Sequence, residues 1–225
     1  MAERRLALTA THLALHVCPC GAAHATATTA IAQENEKPGT TDWQLTRVRP
    51  DVPGGFRSAH IEGYCSAQSL RAGHQLDLMV SADPPCSVLL EVFRMGYYGG
   101  CGARLMHTLG PLAAQAQPVP PRNGERGLRS CDWPVWASIG IPEDWLSGVY
   151  LGRLSTVVGS LTPSHQSYVI FIVVDERPAD ILFQCSDNTW QAYNRWPGDS
   201  SLYTNTDGRN EGSVRDVYDV SFDRP

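Results

Sequence analysis

Lysine is almost missing from this 225-residue sequence: Lys37 is the single example, against seventeen arginines. A phosphate-binding loop needs a lysine after its glycines, and Schiff-base or pyridoxal chemistry needs a buried one. Lys37 lies in the polar stretch Gln33-Glu34-Asn35-Glu36-Lys37-Pro38-Gly39 and suits neither role. No basic run exists and the net charge is -5, so neither duplex DNA nor an anionic membrane surface is an expected partner. There are seven cysteines but no CxxC pair, which removes zinc ribbons and thioredoxin-type sites. Cys65, Cys86, Cys101, Cys131 and Cys185 could form two disulfides with one thiol left over, or none. No apolar segment is long enough to span a bilayer.

What is present is 42% apolar and only 18% charged residues, with 20 glycines and 16 prolines spread along the length. That mixture supports a packed core cut by many turns. Residues 1–32 read as an export leader and signal peptide: Arg4-Arg5, an apolar stretch from Leu6 to Val17, and small-residue cleavage patterns at Ala23-His24-Ala25 and Ala30-Ile31-Ala32. The chain is therefore expected to be secreted or periplasmic, with a cytoplasmic location as the alternative. His12, His16, Cys18, Cys20 and His24 imitate a metal-ligand cluster, but such short tracts match ligand patterns easily and are read as leader. Residues 33–42 read as a polar linker.

Residues 43–176 have the period of strands. Leu76, Leu78 and Val80 alternate in Gln75 to Val80, and Ser87 to Met95, Ala103 to Leu109, Gly148 to Ser155 and Ser167 to Val174 read as further strands. Gly96 to Gly100 is a turn, and Pro111 to Gly127 a long loop. Roughly seven strands in about 120 residues predict an immunoglobulin-like antiparallel β-sandwich. Gly100-Cys101-Gly102 lacks the third glycine and the following helix of a dinucleotide site, so it is a turn. Trp133, Trp136, Trp145, Tyr97 and Tyr98 fit either a closed sandwich end or a binding platform, and burial is the commoner use of aromatics.

From residue 177 to 225 the pattern changes. Asp180 to Cys185 is a continuous apolar run, as in a strand buried on both faces, and Asp187-Asn188-Thr189 can cap a helix starting near Trp190. A crossover would return to a strand near Val217 to Phe222. These residues read as the truncated start of an α/β domain, whose remainder such a strand would need. Ligand sites in such sheets lie beyond strand ends, where Asp187 to Asn194 falls. Asn205 to Gly212 has incomplete oxygen spacing for a calcium loop and is read as a turn.

Ile61-Glu62-Gly63-Tyr64-Cys65-Ser66, Phe93 to Gly100, Asp144 to Tyr150, Thr189-Trp190-Gln191-Ala192-Tyr193-Asn194, Ser200 to Tyr203 and Val220 to Pro225 together resemble the large (beta) subunit of N,N-dimethylformamidase and its relatives. The resemblance implies a β-sandwich followed by a glutamine-amidotransferase-like α/β domain, and hydrolysis of a small amide assisted by an iron held by two tyrosines and a glutamate. Tyr193 matches the first tyrosine, with Trp190 and Asn194 as site-lining residues. The second tyrosine would follow Pro225, and the glutamate belongs to a later motif without a counterpart here. The resemblance also implies a small subunit, or further copies of the chain, as partner. With one ligand of three, the 225-residue chain is expected to be inactive alone and not to hold iron tightly. The alternative is a secreted, non-catalytic sandwich module that binds through its aromatics.

Overall fold

The computed structural model describes residues 24–46, 59–157, 163–179, 181–198, 201–203 and 219–225. Its centre is a β-sandwich. One sheet has three strands in the order β1-β3-β6: β1 is Glu62–Cys65, β3 is Gln75–Ser81 and β6 is Ala137–Gly140. The other has five in the order β2-β8-β7-β4-β5: β2 is Ser69–Arg71, β4 is Cys86–Met95, β5 is Ala103–Ala114, β7 is Gly148–Val157 and β8 is Pro163–Val174. All pairings are antiparallel except β2 with β8, which is parallel.

The core follows from the two-residue period. Leu76, Leu78 and Val80 point from β3 toward Val88, Leu90 and Val92 of β4, and Tyr150, Leu154, Val169 and Phe171 complete the layer. Trp145, Tyr150 and Phe171 stack in series, with ring centroids 4.8 and 5.4 Å apart. Gly152 faces this layer where a Cβ would lie 2.7 Å from Val169 Cγ2 and 3.0 Å from Leu90 Cδ1. Val169 and Leu90 flank it on the neighbouring strands β8 and β4, so the sheet has room for their side chains there because β7 carries none at this position.

β5 runs to Ala114, four residues into the stretch expected to be loop. It is an edge strand, so the missing N–H of Pro111 interrupts no interior ladder. The register shifts between Val88 and Leu90, opposite Gly110, whose φ is +101° and whose Cβ would lie 2.8 Å from the Val88 carbonyl. That bulge requires glycine.

Part of the region read as leader and linker has regular structure. Residues His24–Asn35 form a helix, α1, which leads into a segment tied to the five-stranded sheet. The buried Glu34 carboxylate accepts from Arg104 Nη1 at 2.7 Å, Lys37 Nζ at 2.6 Å and the Tyr98 hydroxyl at 3.0 Å. Asn35 Oδ1 accepts the Tyr97 N–H at 2.6 Å. Thr40 bridges to Ala103, and Trp43 Nε1 donates to the Cys101 carbonyl at 3.0 Å. Gly39 lies so close to Tyr98 and Cys101 that a Cβ would be 2.5 and 2.8 Å from theirs. The polar groups of this segment meet polar partners at the start of β5 and in the turn before it. His12, His16, Cys18 and Cys20, and the Asn205 to Gly212 stretch, lie outside the described residues.

The expected strand at Asp180 to Cys185 is not formed over its described residues, 181–185. Ile181, Leu182 and Phe183 are 84%, 90% and 79% exposed. A doubly buried strand needs neighbours on both edges and cover on both faces, and none of the described residues supplies them. Residues 219–222 are likewise irregular. Among the described residues no helix is long and apolar enough to cross a membrane.

Candidate functional site

The C-terminal segment docks on the outer face of the three-stranded sheet. Glu62 and Tyr64 on β1 and Met79 on β3 share that face, since Tyr64 pairs with Met79 and side chains two apart point the same way. Cys131, Trp133 and Trp196 join Tyr64 and Met79 in a second buried cluster. The Trp133 ring lies 5.5 Å from Tyr64 and 6.1 Å, edge-on, from Trp196. Trp196 Nε1 donates to Glu62 Oε2 at 2.9 Å inside this cluster. The chain end is stitched alongside: the Cys131 N–H donates to the Asp223 carbonyl at 2.6 Å, and Arg126 forks onto the Asp219 carboxylate.

This platform carries a seven-residue helix, α2, from Asp187 to Tyr193. It begins three residues before Trp190, so Asp187 to Thr189 form its first turn, and the residue before it, Ser186, makes no side-chain cap. A helix this short is marginal by itself. It is held from outside by the Leu202 N–H on the Ala192 carbonyl at 3.0 Å, and by Arg224 Nη2 on the Gln191 carbonyl at 2.9 Å. The Asn194 amide then joins three parts: its Oδ1 accepts the Trp196 N–H at 2.9 Å, and its Nδ2 donates to Gln191 Oε1 at 3.3 Å and to the Pro225 carbonyl at 2.8 Å.

Of the residues singled out from sequence, Tyr193 is 60% exposed at the end of α2 and its ring lies 4.7 Å from that of Tyr203. Trp190 is 48% exposed one turn earlier. Asn194 is partly buried, with its side chain engaged in the junction just described. Sequence reading missed the parts played by Tyr203, Arg224 and Trp196; their motif strings were visible, but their partners lie up to 134 residues away. Of the five aromatics that could have formed a platform on the sandwich, Trp133, Trp145 and Tyr98 are buried and Trp136 is partly buried against the core, which leaves Tyr97 exposed alone.

Two of the described thiols, Cys65 and Cys131, are unsuited to nucleophilic work. All five described cysteines are unpaired. Burial pushes Cys65 up to about 12, and burial with the nearby Glu62 carboxylate does the same to Cys131. Both stay protonated near neutrality.

A phenolate is a hard oxygen donor that suits ferric iron. Tyr193 offers a phenol oxygen, with a second phenol beside it, and among the described residues no group of three His, Cys, Asp or Glu could hold a metal ion.

Fold and site together define a β-sandwich protein that carries a docked aromatic segment with an exposed tyrosine at the end of a short helix. A family model described as "N,N-dimethylformamidase beta subunit-like, C-terminal" matches residues 89–225, more than half of the chain, and the chain belongs to this family. No curated protein matches it. The matched span begins in β4 and continues through β5 to β8 and α2 to Pro225, while β1, β2 and β3 precede it.

Proposed function

We propose that the chain provides one ligand position, Tyr193, of an iron site for hydrolysis of a small amide such as a formamide. Residues 177–225 are the start of the α/β domain that carries that site. The observation that supports this most is the junction beside Tyr193: the Asn194 side chain binds the Pro225 carbonyl at 2.8 Å. It brings the Thr189 to Asn194 motif next to the Arg224-Pro225 motif, after which the resemblance implies the second tyrosine. A metal with an open position would supply polarisation of the amide carbonyl and activation of water. The described residues do not complete its ligand set, so the 225-residue chain is proposed to be inactive by itself. A small subunit, or further copies of the chain, is the proposed partner. Residues 1–32 are proposed as a leader for export; cleavage after Ala25 or after Ala32 would keep Glu34 and Asn35 in the mature protein.

Ferric titration of the purified chain tests the ligand position. A weak phenolate-to-iron absorption is expected, lost in Tyr193→Phe and kept in Tyr203→Phe. Absorption that persists in Tyr193→Phe sinks the assignment.

A further inference from the structure

The Tyr193 helix is held at its C-terminal end by a side chain that arrives from 31 residues further along the chain. Arg224 is only 4% exposed. Its Nη2 donates to the Gln191 carbonyl at 2.9 Å and reaches the Asn194 carbonyl at 3.5 Å; its Nε lies 3.3 Å from Gln191 Oε1 and 3.2 Å from the Ser221 carbonyl. The last carbonyls of a helix have no partner within it, and a cation there also meets the negative end of the helix dipole. A planar guanidinium can serve several acceptors at fixed angles, which an ammonium cannot. The Pro225 carbonyl, one residue on, is taken by Asn194 Nδ2, so the two segments are joined in both directions. Tyr193 lies between the two residues so held, Gln191 and Asn194. Its outer side is met by Tyr203, whose segment is pinned to the same turn by the Leu202 N–H on the Ala192 carbonyl.

We infer that Arg224 is the positioning residue of the Tyr193 site: it fixes the last turn of α2 against the chain at Pro225, and so fixes the direction in which the Tyr193 phenol is offered to a metal. The inference rests on the reading of Tyr193 as a ligand position. Arg224 touches no substrate and is not a catalytic residue.

Amide hydrogen exchange and proton NMR of the full 225-residue chain, without metal, test the positioning. In Arg224→Gln the amides from Trp190 to Asn194 should exchange about tenfold to a hundredfold faster, the loss expected for a buried charged hydrogen-bond donor. Contacts between the Tyr193 and Tyr203 rings should weaken, while the amides of β3, β4 and β7 keep their protection. Arg224→Lys should restore part of the protection. No change at α2, or an equal acceleration across the sheets in both variants, overturns the inference. The ferric titration separates it from the reading it rests on: Arg224→Gln should need about tenfold more iron to reach half of the absorption. If the wild-type chain shows no absorption that depends on Tyr193, the ligand assignment fails while the exchange result still decides whether Arg224 holds α2.

Discussion

Replacing Glu34 by alanine should destabilise the sandwich, although Glu34 lies outside it in sequence. Three donors meet this carboxylate, and they do not count equally. The Tyr98 residue is 2% exposed, and its hydroxyl would lose the acceptor for its proton at a cost of about 1–3 kcal/mol. The Arg104 and Lys37 side chains are 30% and 50% exposed and can return to water, so each pair contributes about 0–1 kcal/mol. The expected loss is about 1–5 kcal/mol, a large share of the roughly 5–15 kcal/mol of an ordinary domain. For a chain of this size it corresponds to a fall of roughly 2–20 °C in the unfolding midpoint. Thermal and urea unfolding followed by circular dichroism at pH 7 measure it. There is also a pH signature. Burial pushes the Glu34 carboxyl up, but the hydrogen bonds from Lys37, Arg104 and Tyr98 outweigh burial and leave it below its ordinary 4.5. The unfolded chain then takes up its proton first on acidification. The stability from this group is fully present above about pH 4.5 and is lost as pH falls through the lower folded value. The advantage of wild type over Glu34→Gln should therefore shrink below about pH 5. A Glu34→Ala protein within about 0.5 kcal/mol of wild type at pH 7 would refute the docking of the N-terminal segment.

Two further predictions rest on the core. Gly152→Ala should cost about 1–3 kcal/mol by overpacking against Val169 and Leu90, read as a lower urea midpoint with an unchanged slope. Cys65 and Cys131 should fail to react with a thiol reagent at pH 8 in the folded chain and react once it is unfolded; modification of either in the native protein would contradict their raised values.

The sandwich was legible because its signals are local. Alternation at Leu76, Leu78 and Val80, the glycines from Gly96 to Gly102 and the β-branched run before Val174 each act over a few residues. Helix α1 was not legible, since His24 to Asn35 is mostly alanine, threonine and polar residues with no apolar stripe. The docking of the 33–46 segment was hidden for another reason: Glu34 finds Tyr98 and Arg104 across 64 and 70 residues. Ile181 to Phe183 shows the limit of reading burial from apolarity, because a residue is buried only if something lies against it. Tyr193 itself has no local signature beyond aromatic density. Its assignment came from the motif resemblance, and its surroundings from pairings that no spacing rule reveals.

Iron content is the most direct test of the proposal that this chain provides a single ligand position, Tyr193. The 225-residue protein should be loaded with ferric iron, dialysed against metal-free buffer and assayed for metal per chain. Far less than one iron per chain is expected to remain. One iron per chain, retained through dialysis, would contradict the claim.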